Sequence, residues 1–120
     1  MNELDHVGLY VKDLAKSVVF YGEIFGFEVV RTMDLGEAKI AFLDIGGGLL
    51  ELIQRPEGPG APPEGRWNHT AYGVDDYDAM ESKLEGIGLE LRKVTLAKGR
   101  RIAFFKDPDG HDVEIMEKAQ

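Results

Sequence analysis

The stretch "GGGLLELIQ", residues 46–54, poses the problem from which the fold can be read. Three glycines mark a turn, and the apolar run that follows, Leu49 to Ile53, has one carboxylate, Glu51, at its centre. A short apolar run bounded by a turn reads as a buried strand. An ionised carboxylate in such a strand is costly unless it is paired, hydrogen-bonded or bound to a cation. Glu51 therefore needs a partner or a solvent-facing position. "VEIM" (113–116) repeats the puzzle with Glu114. Counting outward from the two glutamates exposes a duplication. His6 lies 45 residues before Glu51, and His69 lies 45 before Glu114. Each histidine also precedes a valine by five residues (Val11, Val74) and an aspartate by seven (Asp13, Asp76).

The elements between these landmarks repeat as well. "LDHVGLYV" (4–11) alternates and is rich in β-formers, so it reads as a strand. Residues 12–26 switch to helical spacing, with Leu14, Val18, Tyr21 and Phe25 on one stripe, Asp13 as N-cap and Gly26 as terminator. Strands are expected at 27–33, 39–45 and 49–54. Residues 55–66 hold four of the five prolines and three glycines, a linker composition. The pattern then restarts, with a strand at 67–74 and a helix at 75–88. That helix begins at Asp76 and carries Tyr77, Met80, Leu84 and Ile87 on one face. Further strands are expected at 89–95, 100–107 and 112–117, with "DPDG" (107–110) as a turn before the last. The expected architecture is α+β. Two tandem βαβββ modules (1–54 and 67–120) joined by the 55–66 linker form one domain over 1–120.

Composition narrows the function. One hundred and twenty residues suffice for a modest core. A net charge of −8 makes nucleic acid and anionic membrane surfaces poor partners. No apolar run is long enough to span a bilayer, and "MNELDHVGLYVKDL" lacks the layout of a signal peptide, so a cytoplasmic location is expected. Without cysteine there is no disulfide, thiolate nucleophile or cysteine-ligated metal. The only serines, Ser17 and Ser82, fall within expected helices, which disfavours a serine nucleophile.

His6, Glu51, His69 and Glu114 remain as a candidate metal set. On a strand, alternate residues share a face, so His6 lies with Gly8 and Tyr10, and His69 with Trp67, Ala71 and Gly73. If the halves pack together, four ligands converge from four strands. Two imidazoles and two carboxylates suit nickel, cobalt, zinc, manganese or iron. Singly, a strand histidine is more often structural and a strand glutamate more often faces solvent. The repeated spacing favours the metal reading for all four jointly. His111 has no counterpart in the first half and is expected to be exposed. The Gly46–Gly48 turn leads into a strand rather than a helix, which weakens a phosphate-loop reading.

Paired βαβββ modules, a histidine on each first strand, glutamates on the fourth strands and "DPDG" before the last strand resemble the vicinal oxygen chelate (VOC) superfamily over nearly the whole chain. The His6/Glu51/His69/Glu114 pattern, "HVGLYVKDLAKSVVFYGEIFGFEVV" and "IAFFKDPDGHDVEIME" are most similar to glyoxalase I (lactoylglutathione lyase). The resemblance implies curved sheets that each cup a site, a homodimer, and nickel or cobalt in preference to zinc. It further implies a small carbonyl or thiol-conjugate substrate, a 2-oxoaldehyde hemithioacetal. A divalent ion acts as Lewis acid on an enediolate while a carboxylate moves the proton, Glu114 being the better candidate for the base, with Glu51 facing it. Arg31, Arg55, Arg100 and Arg101 are candidates to hold a substrate carboxylate.

Two positions depart from that pattern. Tyr10 stands where an arginine usually helps hold glutathione, and Arg55 stands where an asparagine is usual. Lys98-Gly99 resembles a shortened basic loop over the thiol conjugate. Three other readings share the fold: a methylmalonyl-CoA epimerase-like isomerase, which usually has glutamine at the Glu51 position; an extradiol dioxygenase, which leaves Glu51 without a role; and a non-catalytic, bleomycin-resistance-like binding protein.

Overall fold

The computed structural model describes residues 4–58 and 69–118. The chain divides into two compact units, Met1–Glu64 and Gly65–Gln120. In the first, β1 (His6–Val11), α1 (Leu14–Phe25), β2 (Glu28–Asp34), β3 (Lys39–Asp44) and β4 (Leu49–Gln54) follow in order. They build a four-stranded sheet of order β1-β4-β3-β2, parallel between β1 and β4 and antiparallel elsewhere. The second unit repeats this with β5 (His69–Val74), α2 (Tyr77–Gly86), β6 (Arg92–Thr95), β7 (Arg101–Lys106) and β8 (Asp112–Glu117), in the order β5-β8-β7-β6. The α+β, duplicated βαβββ architecture expected from the sequence is present.

Local chemistry explains the element ends. Asp13 accepts the Lys16 N–H at 3.1 Å and Asp76 the Ala79 N–H at 3.0 Å, so each helix opens on an aspartate cap. Gly26 closes α1 at φ 73°, a left-handed position that favours glycine. α2 ends earlier than the expected 88. The Leu89 N–H bonds to the Leu84 carbonyl and the Gly88 N–H to the Glu85 carbonyl, a Schellman closure. Residues 89–91 are spent leaving that closure, so β6 starts at Arg92 rather than 89. Ile87, expected on the buried face, stands at the cap and is exposed.

Each sheet has a helix side and an open side. In the first unit Leu50, Leu52, Ala41 and Leu43 are buried on the side that meets α1, whose own buried residues are Ser17, Tyr21 and Ile24. The buried stripe is therefore centred on Tyr21, and Leu14, Val18 and Phe25 flank it half-buried. In the second unit Val113, Ile115, Ala103 and Phe105 are buried on the side of α2, with Tyr77 and Leu84. His6, Gly8 and Tyr10, and in the repeat His69, Ala71 and Gly73, project from the opposite, open side by strand alternation. Trp67 and linker residues 59–66 lie outside the described residues. Among the described residues no helix is long and apolar enough to cross a membrane.

Candidate active site

Strand register places the candidate residues. Gly8 pairs with Glu51 and Glu51 with Phe42, which in turn opposes Arg31, so one row crosses all four strands of the first sheet. The second sheet carries the same row as Ala71, Glu114, Phe104 and Arg92. Residues directly opposite across a strand pair share a face. Each row thus lies on the open side of its sheet, with the histidine two residues earlier on the first strand and so on the same face.

The histidines meet the glutamates within each unit. His6 Nε2 lies 3.3 Å from Glu51 Oε1, and His69 Nε2 lies 3.0 Å from Glu114 Oε1. Each imidazole also stands edge-on to the phenylalanine of its row, at 5.7 Å and 88° for His6–Phe42 and 5.4 Å and 86° for His69–Phe104. The glutamate side chains are only 16% and 9% exposed, the histidines 41% and 32%. Glu51 thereby has the partner that its apolar strand requires. Gly8 leaves the space: a Cβ there would stand 3.3 Å from Glu51 Oε1.

His6 carries a further constraint. Its Nδ1 lies 2.8 Å from Asp5 Oδ2. Nδ1–H donation to Asp5 leaves the Nε2 lone pair facing Glu51. Two lone-pair donors at this distance call for a proton or a cation between them. Adjacent donors on a cation bound at about 2.1 Å themselves lie about 3 Å apart, so the pair fits a divalent ion.

The arginines separate by face. Arg31 lies over the Phe42 ring at 4.3 Å, on the His6/Glu51 side. The Arg55 guanidinium lies 3.7 Å over the ring of Tyr10, on the same side. Arg100 donates to the Glu117 carbonyl at 2.7 Å. Arg101 is on the helix side, bonded to Asp78 at 2.6 Å and Glu117 at 3.0 Å and lying over the Tyr77 ring. The Arg101 bonds hold the Asp78 and Glu117 carboxyls below their ordinary range, and burial, then Glu81, pushes the Tyr77 hydroxyl up to about 12. Arg100 and Arg101 are thus engaged in holding the second unit together. Sequence reasoning missed Arg92, which lies 4.4 Å over the Phe104 ring as Arg31 does over Phe42. Spacing could not reveal it: Arg31 follows His6 by 25 residues, Arg92 follows His69 by 23.

His111 is half-buried, not exposed. It shares a turn with Asp107 and Asp109, where ligand-capable atoms lie within 4.8 Å of one another. Asp107 Oδ1 there accepts the backbone N–H groups of Asp109 and His111, at 2.9 and 2.8 Å, which is how the "DPDG" turn is held.

Residues 3–115 match the model of the Glyoxalase/Bleomycin resistance protein/Dioxygenase superfamily, and the chain belongs to that superfamily. It is 33% identical to the probable lactoylglutathione lyase of Vibrio cholerae, over 96% of this chain and 90% of that one. It is 30% identical to the glutathione transferase FosA of Serratia marcescens, over 96% and 80%. In structure it is similar to the trypanothione-dependent glyoxalase I of Leishmania major, with a TM-score of 0.82 and 25% identity over 98% of this chain and 87% of that one. Some relatives are longer: the chain spans 48% of the lactoylglutathione lyase of Schizosaccharomyces pombe. The family therefore includes both lyases and thiol transferases, and membership alone does not fix the reaction.

Proposed function

We propose that this chain is a metal-dependent glyoxalase I-like lyase, acting on the hemithioacetal of a small 2-oxoaldehyde and a thiol by proton transfer between neighbouring carbons. His6, Glu51, His69 and Glu114 are its metal ligands, and residues 1–120 work as one domain. The observation that carries the reading is the His–Glu pair, built twice by the same register with Nε2–Oε1 separations of 3.3 and 3.0 Å. Nickel or cobalt is the favoured ion, with zinc as an alternative. When bound, a divalent ion supplies Lewis-acid stabilisation of negative charge on the substrate oxygens.

The chain's residues supply the rest. Glu114, the more buried carboxylate, takes the proton from the carbon beside the carbonyl and returns it to the neighbouring carbon. Glu51 stands in the corresponding place in the first unit. The phenylalanines at 42 and 104 fix the imidazole planes from the side. A dioxygenase reading leaves Glu51 without a role, whereas Glu51 is paired with its histidine as Glu114 is. An epimerase reading has glutamine at 51. The lyase names among the relatives favour the same choice. A homodimer accords with β2, an edge strand with Val29, Val30 and Met33 exposed; light scattering at micromolar concentration tests it. A cytoplasmic location completes the proposal.

The deciding experiment is turnover by protein reconstituted with nickel, cobalt or zinc, using methylglyoxal hemithioacetals of several thiols, with methylmalonyl-CoA and a catechol in parallel. Hemithioacetal turnover that disappears on chelation is the expected result. Turnover of only methylmalonyl-CoA or the catechol, or equal activity without metal, defeats the proposal.

A further inference from the structure

The two rows end on the same residue type. Arg31 and Arg92 each lie two strands from the glutamate of their row, with the phenylalanine between. Their guanidinium carbons stand 4.3 and 4.4 Å from the ring centroids, well inside the roughly 6 Å range of cation–π attraction. Stacking fixes the plane of a guanidinium and leaves its N–H edge for a ligand. Among the described residues the ion pairs of arginines are those of Arg55 and Arg101, and none involves Arg31 or Arg92.

The first of these positions depends on an irregularity. β2 pairs with β3 as Glu28–Asp44 and Val29–Leu43, and the next pair is Arg31–Phe42, with Val30 left over as a bulge. Without the bulge Val30 would oppose Phe42, and Arg31 would point to the helix side. A bulge re-aims a side chain at the cost of local pairing. Here it restores the row that β6 forms without a register shift, Arg92 opposite Phe104. The same arrangement is thus reached by two different backbone routes, although the spacing from the histidine differs.

We propose that Arg31 and Arg92 are specificity-determining residues that bind a carboxylate on the substrate, each on the open face of its own sheet. The proposal rests on the hemithioacetal reading for where the chemistry occurs. A planar guanidinium with two parallel N–H groups matches a carboxylate bidentately. A chain of net charge −8 repels anions at long range, so an acidic substrate needs such local cations on the reacting face. The expected substrate is a hemithioacetal whose thiol part bears a carboxylate.

The test uses the nickel-loaded full-length protein and two methylglyoxal hemithioacetals, of mercaptoacetate and of mercaptoethanol, which differ in the acid group. The wild type favours the acid. Arg31→Gln and Arg92→Gln each lower the acid-to-neutral ratio of kcat/KM by at least about tenfold, mainly through KM. The lysine variants fall between, because they keep charge and lose the fork. Both arginines are exposed, and melting curves confirm that the variants are folded. A ratio equal to wild type in a glutamine variant overturns the proposal for that half. If the wild type turns over neither compound, the proposed reaction has failed, and carboxylate binding is read separately by calorimetric titration with succinate. Binding weakened at least about tenfold in the glutamine variants supports the subsite; no wild-type binding, or unaltered binding in the variants, overturns it.

Discussion

The Arg55 guanidinium lies 3.7 Å above the ring of Tyr10. These are the two residues that depart from the glyoxalase I pattern, and they are each other's partners. The repeat answers differently: Gly73 takes the place of Tyr10, and the stem of Lys118 passes over it, a Cβ at Gly73 standing 3.2 Å from Lys118 Cγ. Lys118 then pairs with Asp75. A basic residue four positions after the glutamate therefore lies over the first strand in both halves.

The Tyr10–Arg55 contact is expected to be a coupled pair. Tyr10→Ala and Arg55→Ala should each lower stability by about 0.5–1 kcal/mol, and the double variant should lose clearly less than the sum. Denaturant unfolding of the four proteins checks this. Strict additivity would mean that the stack is incidental.

Glutamine at the two glutamates should separate ligand from base. Glu114→Gln should retain much of its metal and lose about 10²–10⁴-fold in turnover, because an amide oxygen coordinates but does not accept the proton. Glu51→Gln should lose some metal and remain measurably active. Metal content and turnover are measured on the same preparations. A dead Glu51→Gln beside an active Glu114→Gln would reverse the roles.

Gly8 should be sensitive through Glu51 rather than through the backbone. A methyl at 3.3 Å from Oε1 must displace the carboxylate by a few tenths of an ångström. Gly8→Ala should fold and bind nickel more weakly, and Gly8→Val more weakly still. Ala71, opposite Glu114, already carries a Cβ, so Ala71→Gly should leave affinity nearly unaltered. Metal titrations on the three variants decide it; equal affinities would place Glu51 outside the metal site.

Chelation should destabilise the protein as prepared with metal. An ion held only by the folded state contributes about 3–4 kcal/mol at several hundred times its Kd. The melting temperature should fall with chelator and recover with nickel or cobalt, and His6→Ala or His69→Ala should abolish the response. Melting indifferent to both treatments would remove the four residues as ligands.

Arg101→Gln should give a pH-dependent loss of stability. Arg101 lowers the folded-state pKa values of Asp78 and Glu117, through hydrogen bonds first. A depressed carboxyl contributes stability above its unfolded pKa, near 3.9 for Asp and 4.3 for Glu, and loses it as pH falls through the folded value. The variant should therefore melt lower than wild type at neutral pH, and the gap should narrow below about pH 4. A residue of the gap should persist in acid, because stacking on Tyr77 does not titrate with the carboxyls. Melting curves from neutral to acidic pH test it; a constant gap would assign the whole effect to the stack.

The sequence by itself determined the duplicated βαβββ order, both aspartate caps, the "DPDG" turn and the recurrence of one histidine and one glutamate at the same separation in each half. Each of these is written in local residue chemistry or in a constant spacing of 45, and the parallel pairing of β1 with β4 and of β5 with β8 then brings histidine and glutamate together on one face. Only the tertiary structure decided which arginines share that face. A shift of one residue turns a strand side chain to the other side of the sheet, and the bulge at Val30 makes that shift in the first half alone. Hence Arg31 is on the open face, Arg101 on the helix side, and Arg92 went unrecognised. The Tyr10–Arg55 stack was hidden for the same kind of reason. Its two residues lie 45 positions apart, on β1 and just beyond β4, and become neighbours only when those strands pair in parallel.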